Sequence, residues 1–110
     1  MIAGGATNVS REGETTSLPN RFVLHQNYPN PFNPTTTIRY AVPEASHVQV
    51  HVFDLLGRPV ATLVDNSLQP GMHTTTWDAR GAASGVYFVV MTATAAGTPF
   101  RAVRKMLLLR

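Results

Sequence analysis

The chain has 110 residues, 44% of them apolar, and no cysteine, which limits it to one domain with one modest core and no disulfide framework, without excluding an oxidising compartment. Its net charge of +3 is uneven: residues 95–110 carry +4 through Arg101, Arg104, Lys105 and Arg110, and residues 1–94 carry −1. A near-neutral body with a basic last segment is not a general nucleic-acid binder, and no run of ~18 apolar residues is present to span a bilayer.

Residues 1–20 are Gly, Thr, Ser, Asn and charge with almost no large apolar side chain, a composition that predicts a flexible linker. They lack a basic region followed by an apolar one, so an export signal is expected only on a longer precursor. The domain is expected over residues 21–110, with order starting at Phe22-Val23-Leu24. In the stretch Tyr28-Pro29-Asn30-Pro31-Phe32-Asn33-Pro34 the prolines fix φ, remove N–H donors and restrict the residues before them. Such a segment is neither helix nor central strand. It reads as a stiff, shaped lead-in to a β-domain, and two roles stay open: a rigid connection, or a surface that a partner reads.

Strand signals then follow one another, separated by turns. Thr35 to Val42 alternates, with Ile38, Tyr40 and Val42 on one face. His47 to Asp54 alternates again, with Val48, Val50 and Val52 inward and His47, Gln49 and His51 outward. Leu55-Leu56-Gly57-Arg58 predicts a hairpin connection in which Gly57 takes positive φ and Asp54 accepts backbone hydrogen bonds. A short strand is expected over Pro59–Asp65, a turn at Gln69-Pro70-Gly71, and a strand over Met72–Asp78 with Thr75 and Trp77 on one side. After a small-residue loop from Arg80 to Gly85, Val86–Thr92 is apolar on both faces and predicts a central strand. Gly97-Thr98-Pro99 predicts the last turn, and Phe100–Leu109 the terminal strand, with a basic solvated face opposite Leu107 and Leu109.

About seven strands at a spacing of roughly 8–14 residues, with no amphipathic helix, predict an all-β, antiparallel immunoglobulin-like sandwich. There is no Cys…Trp…Cys framework, and alternation places Trp77 inward.

Little in the sequence points to chemistry. His47 and His51 lie on one strand face roughly 13 Å apart, too far to chelate one ion at ~2 Å from each ring without further ligands such as His73. A calcium site on Asn30, Asn33 or Asp78 would need six to eight oxygens, and no Asp-rich loop supplies them. The chain has no G-x-S-x-G, its few acids are scattered, and Ser84-Gly85 reads as a turn. No enzyme activity, cofactor or metal is expected.

Four blocks carry a family resemblance. They are Leu24–Pro34 leading into Thr35–Tyr40; Val52-Phe53-Asp54-Leu55-Leu56-Gly57-Arg58-Pro59-Val60; Gly71-Met72-His73 through Trp77-Asp78 with Ser84-Gly85-Val86-Tyr87-Phe88; and Arg104-Lys105-Met106-Leu107-Leu108-Leu109-Arg110. Their order and spacing resemble the type A C-terminal sorting domain of the type IX secretion system of Bacteroidetes and neighbouring phyla. Val42 and Pro59 depart from the residues common there.

The resemblance implies a non-catalytic address label. It implies a cargo domain upstream in the same chain, passage through the periplasm, and recognition by the outer-membrane translocon and its shuttle proteins. It further implies delivery to the cell surface or medium, removal by a surface sortase in the stretch before Phe22, and a cargo that can be joined to anionic lipopolysaccharide. Neither nucleic-acid binding nor membrane insertion is implied. The residues it marks for partner recognition are Pro29, Asn30, Pro31, Phe32, Asn33, Pro34, Asp54, Gly57, Arg58, Gly85, Tyr87, Lys105, Met106, Leu107, Leu108 and Leu109.

If the terminal strand lies at a sheet margin, it would offer an unpaired edge for strand addition, with basic side chains that speed docking to an acidic partner. Two rival readings are an adhesion or carbohydrate-binding module, for which Tyr28, Phe32, Trp77 and Tyr87 are the aromatics available, and a subunit that assembles by strand exchange.

Overall fold

The computed structural model describes residues 18–110; the linker expected over residues 1–20 falls mostly outside them. Among the described residues seven strands form two antiparallel sheets, the immunoglobulin-like sandwich expected from the sequence. They are β1 (Val23–Leu24), β2 (Thr35–Val42), β3 (Ser46–Asp54), β4 (Pro59–Leu68), β5 (Gly71–Asp78), β6 (Gly85–Ala95) and β7 (Thr98–Leu108). One sheet has the order β1-β2-β5, and the other β4-β3-β6-β7.

The inward faces follow from period-two alternation. Val48, Val50 and Val52 of β3 are fully buried, as are Val89 and Met91 of β6 and Ile38 and Val42 of β2; Trp77 of β5 joins them. Strand β6, apolar on both faces, is an inner strand flanked by β3 and β7. The Gln69-Pro70 link carries the chain from the edge strand β4 to the edge strand β5, and so from one sheet to the other.

Three expectations need correction. Strand β4 runs on past Asp65 to Leu68, because Asp65, Ser67 and Leu68 still pair with Gln49, His47 and Ser46. At an edge, pairing rather than burial defines the strand, so polar side chains do not end it. The last turn is Ala96-Gly97, one residue earlier than expected. Both residues have positive φ (50° and 79°), which fits the tight two-residue hairpin between right-twisted strands. Pro99 then sits in β7, where an edge position tolerates its missing N–H.

The parity of β7 is also opposite to the expectation. Met106 and Leu108 are fully buried, whereas Leu107 is half-buried and Leu109 is 50% exposed. Pairing with β6 sets this: Tyr87 faces Met106 and Gly85 faces Leu108, so the inward parity of β6 is handed to the even positions of β7.

Candidate functional site

The proline-rich segment is a strap between the two sheets. It first runs beside β2: the His25 N–H donates to the Arg39 carbonyl at 3.0 Å, and Tyr28 and Thr37 exchange two hydrogen bonds at 2.9 Å. It then crosses to the other sheet. The Phe32 N–H donates to the Leu107 carbonyl at 3.0 Å, and the Leu109 N–H donates to the Phe32 carbonyl at 3.1 Å, a parallel bridge onto β7. Finally the Pro34 carbonyl accepts from the Ala79 N–H at 2.9 Å as the chain enters β2. The residues that must donate, Tyr28 and Phe32, alternate with prolines that cannot, so a segment poor in donors still makes every bond the crossing requires. All three Xaa–Pro bonds of the strap are cis.

Side chains fasten the strap. Asn27 is buried, and its amide donates to the Pro29 carbonyl (3.1 Å) and to Thr36 Oγ1 (2.9 Å), while the Thr36 hydroxyl donates to the same Pro29 carbonyl (2.9 Å). Gln26 donates to Asn27 Oδ1 and to the Lys105 carbonyl, both at 2.7 Å, and Asn30 Oδ1 accepts from the Leu107 N–H at 3.0 Å. Phe32 is 2% exposed and packs on Trp77 (centroids 5.5 Å apart), which meets Tyr87 edge-on at 5.1 Å. The Tyr87 hydroxyl donates to the Ala83 carbonyl at 2.6 Å.

The β3–β4 hairpin is held by one carboxylate. Asp54 Oδ1 accepts from the N–H groups of Leu56 and Arg58, each at 2.9 Å, and Oδ2 accepts from Arg58 Nε at 2.8 Å. These bonds, the Arg58 backbone N–H foremost, hold the Asp54 carboxyl below its ordinary value of 3.8. Gly57 takes φ of 81°, and the turn lifts Leu55 and Leu56 into solvent, 66% and 76% exposed.

Registers then bring the sequence-marked residues together. Asp54 pairs with Tyr87, and Tyr87 with Met106, in one cross-strand row; Gly85 pairs with Leu108, and Leu108 with Phe32, in another. Positions far apart in sequence thus meet at one end of the molecule. Their exposure divides them. Phe32, Tyr87, Met106 and Leu108 are buried and support this end, whereas Pro29, Asn30, Pro31, Asn33, Gly57, Arg58, Lys105 and Leu109 face solvent.

Strand β7 does lie at a sheet margin, but its edge from Lys105 to Leu109 is occupied by Gln26, Asn30 and Phe32. The open edge expected from the sequence is closed there by the chain itself. Gln26, Asn27 and Thr36 escaped the sequence reading. The available signal was parity: Thr36 shares the inward face of Ile38 and Tyr40, and a buried hydroxyl requires a partner.

The histidines do not converge. His47 Nε2 lies 2.7 Å from Asp65 Oδ1 and His51 Nδ1 3.0 Å from Thr62 Oγ1, while His73 stands in the other sheet, stacked on Tyr40. Asp78, weighed as a calcium ligand, is bound by Arg80. Of the four aromatics weighed for sugar binding, Phe32, Trp77 and Tyr87 are buried and Tyr28 alone is exposed.

A sequence model of the family described as "Secretion system C-terminal sorting domain" matches residues 26–103. No curated protein matches the chain. The matched span holds the strap from Gln26 onward, the Asp54 hairpin, Tyr87 and β7 as far as Val103; Lys105–Leu109 lie beyond it.

Proposed function

Because the chain belongs to the family of type IX secretion C-terminal sorting domains, a family that is non-catalytic in general and directs proteins to the cell surface or medium, we propose that the end of the sandwich built by the strap, the Asp54 hairpin and the end of β7 is the face the secretion machinery reads. The observation that carries this reading is convergence: motif blocks spread from Pro29 to Leu109 are folded onto one end of the domain. Main-chain pairing at Lys105–Leu109 is already used by the strap, so recognition there works through shape and side chains. The stiffness of the strap lowers the ordering cost of binding.

In this reading the domain is an address label without catalytic function. It is engaged in the periplasm by shuttle proteins and the outer-membrane translocon, carries an upstream cargo domain with it, and is removed by a surface sortase in the stretch before Phe22. The test is a transplant of residues 20–110 onto a periplasm-directed reporter in a host with an active type IX system. Surface display that disappears when the translocon is disabled is expected. Retention of a folded reporter fusion in the periplasm would overturn the reading in favour of an adhesion or assembly module.

A further inference from the structure

The strap and the hairpin leave the outer face of the four-stranded sheet unexplained. The solvent side of an antiparallel sheet ordinarily carries polar residues at alternate positions. Here His47, Gln49, His51, Arg101 and Lys105 are polar on that face, but they leave an apolar group between them. Nearer the hairpin, Phe53 faces Phe88, and Val90 faces Val103, all on the outward parity. Val90 is 7% exposed although it points away from the core, because its outward neighbours shade it; Val103 is 41% exposed. With Leu55 raised above them, these side chains line an open groove of about 330 Å³. The result is a concave apolar surface with room for a side chain.

Charge selects the occupant. Arg101 and Lys105 share the outward parity of Val103 and stand two residues to either side of it. Among the described residues neither has an ion-pair partner, whereas Asp54, Asp65 and Asp78 are each committed, to Arg58, His47 and Arg80. Among the described residues the groove therefore offers an apolar floor, one uncommitted cation in its lining, Arg101, a second beside it, Lys105 opposite Phe88, and no carboxylate but Asp54, which Arg58 holds. A ligand that complements it brings an apolar side chain flanked by acids.

Resting on the sorting reading, we propose that this groove docks an acidic protein segment of the secretion apparatus, with an apolar side chain seated between Phe53, Phe88 and Val103 and carboxylates placed against Arg101 and Lys105. A concave floor of a few side chains suits one inserted side chain better than a lipid surface or a polysaccharide.

The test uses the reporter fused to residues 20–110. The double variant Arg101→Glu/Lys105→Glu is expected to lower surface display at least about tenfold, while Arg101→Lys/Lys105→Arg keeps it. Thr76→Glu, exposed on the other sheet, serves as the control and is expected to leave display unchanged. Melting curves establish that each variant is folded, and Val103→Asp gives a second probe that leaves both cations in place. A photo-crosslinking residue at position 103 is expected to link to a protein component of the translocon. Full display of the charge-reversed variant would overturn the proposal, as would crosslinks only to an anionic glycolipid. Failure of the unmodified fusion to reach the surface would instead sink the sorting reading, and this proposal with it.

Discussion

The four-stranded sheet has two margins, and they are protected in different ways. At β7 the outward main-chain groups of Lys105, Leu107 and Leu109 are taken by a segment of the same chain that lies 77 to 79 residues earlier where side chains make the contact. At β4 no strand lies beyond among the described residues. That edge is instead disrupted by two register shifts against β3, begins with a proline, and exposes Asp65, Asn66 and Ser67. Bulges, proline and polar side chains discourage pairing by another chain, whereas a strap removes the free groups altogether. The difference teaches that the two margins face different demands. The β4 margin needs only to stay unpaired. The β7 margin has to hold one fixed shape, with buried polar groups and aromatic packing.

Several substitutions break or sharpen this contrast. The largest effect is expected from Phe32→Ala, which empties the contact with Trp77 and costs about 3–5 kcal/mol. Thermal melting checks it, with a fall of about 15 °C or more expected for a domain of this size. Asn27→Ala is expected to cost about 1–3 kcal/mol, because it removes a buried amide that donates to Thr36 Oγ1 and the Pro29 carbonyl and accepts from Gln26. Hydrogen exchange should then quicken at the Leu109 amide, which depends on the strap, and not in the β3–β4 ladder; equal quickening in both would mean that the two margins are not independent. Asn30→Ala removes one exposed bond to the Leu107 N–H and is expected to cost about 0.5–1.5 kcal/mol, with faster exchange confined to Leu107.

The smallest effect concerns acid. Hydrogen bonds hold Asp54, Asp65 and Asp78 below their ordinary range, chiefly from the Arg58 backbone, the His47 ring and the Arg80 side chain respectively. A carboxyl depressed in the folded state contributes stability that is complete above its unfolded value and is lost as pH falls through its folded one. Melting temperature should therefore be flat near neutrality and decline below about pH 4. Asp54→Asn should melt lower than the unmodified domain near neutrality, and the gap should close in acid. A gap that persists unchanged at low pH would show that the charge is not what matters.

How far the sequence discloses this molecule can be judged from particular residues. Strand β3 is legible because Val48, Val50 and Val52 alternate with polar residues, and alternation at a half-buried sheet is the direct imprint of burial. The end of β4 is not, since Asp65-Asn66-Ser67 pair without being buried. Nor is the parity of β7: a run of Met106-Leu107-Leu108-Leu109 has no period, and only the register with β6 decides which side faces in. The strap is legible as stiff and non-helical from its prolines. Its destination is not, because a single parallel bridge to Leu108 leaves no local trace in either segment. In the candidate site, sequence alone marked the Asp54 hairpin and its backbone hydrogen bonds. The Asn27–Thr36–Pro29 network and the apolar outer groove emerge only once strands from different regions are side by side.

The strap also bears on the order in which the domain assembles. Its partners on β7 lie more than seventy positions downstream, a separation that makes this one of the slowest kinds of contact to form. A nascent chain can pair Tyr28 with Thr37 and Asn27 with Thr36 early, yet the crossing bonds of Gln26, Asn30 and Phe32 have no partner until Leu107 has been made and β7 has paired with β6. The crossing half of the strap, synthesised early, is thus among the last parts to settle, and a chain truncated before Leu107 leaves it loose whatever else has folded. Closure of the strap is in this sense a report, written into the fold, that the whole domain is present.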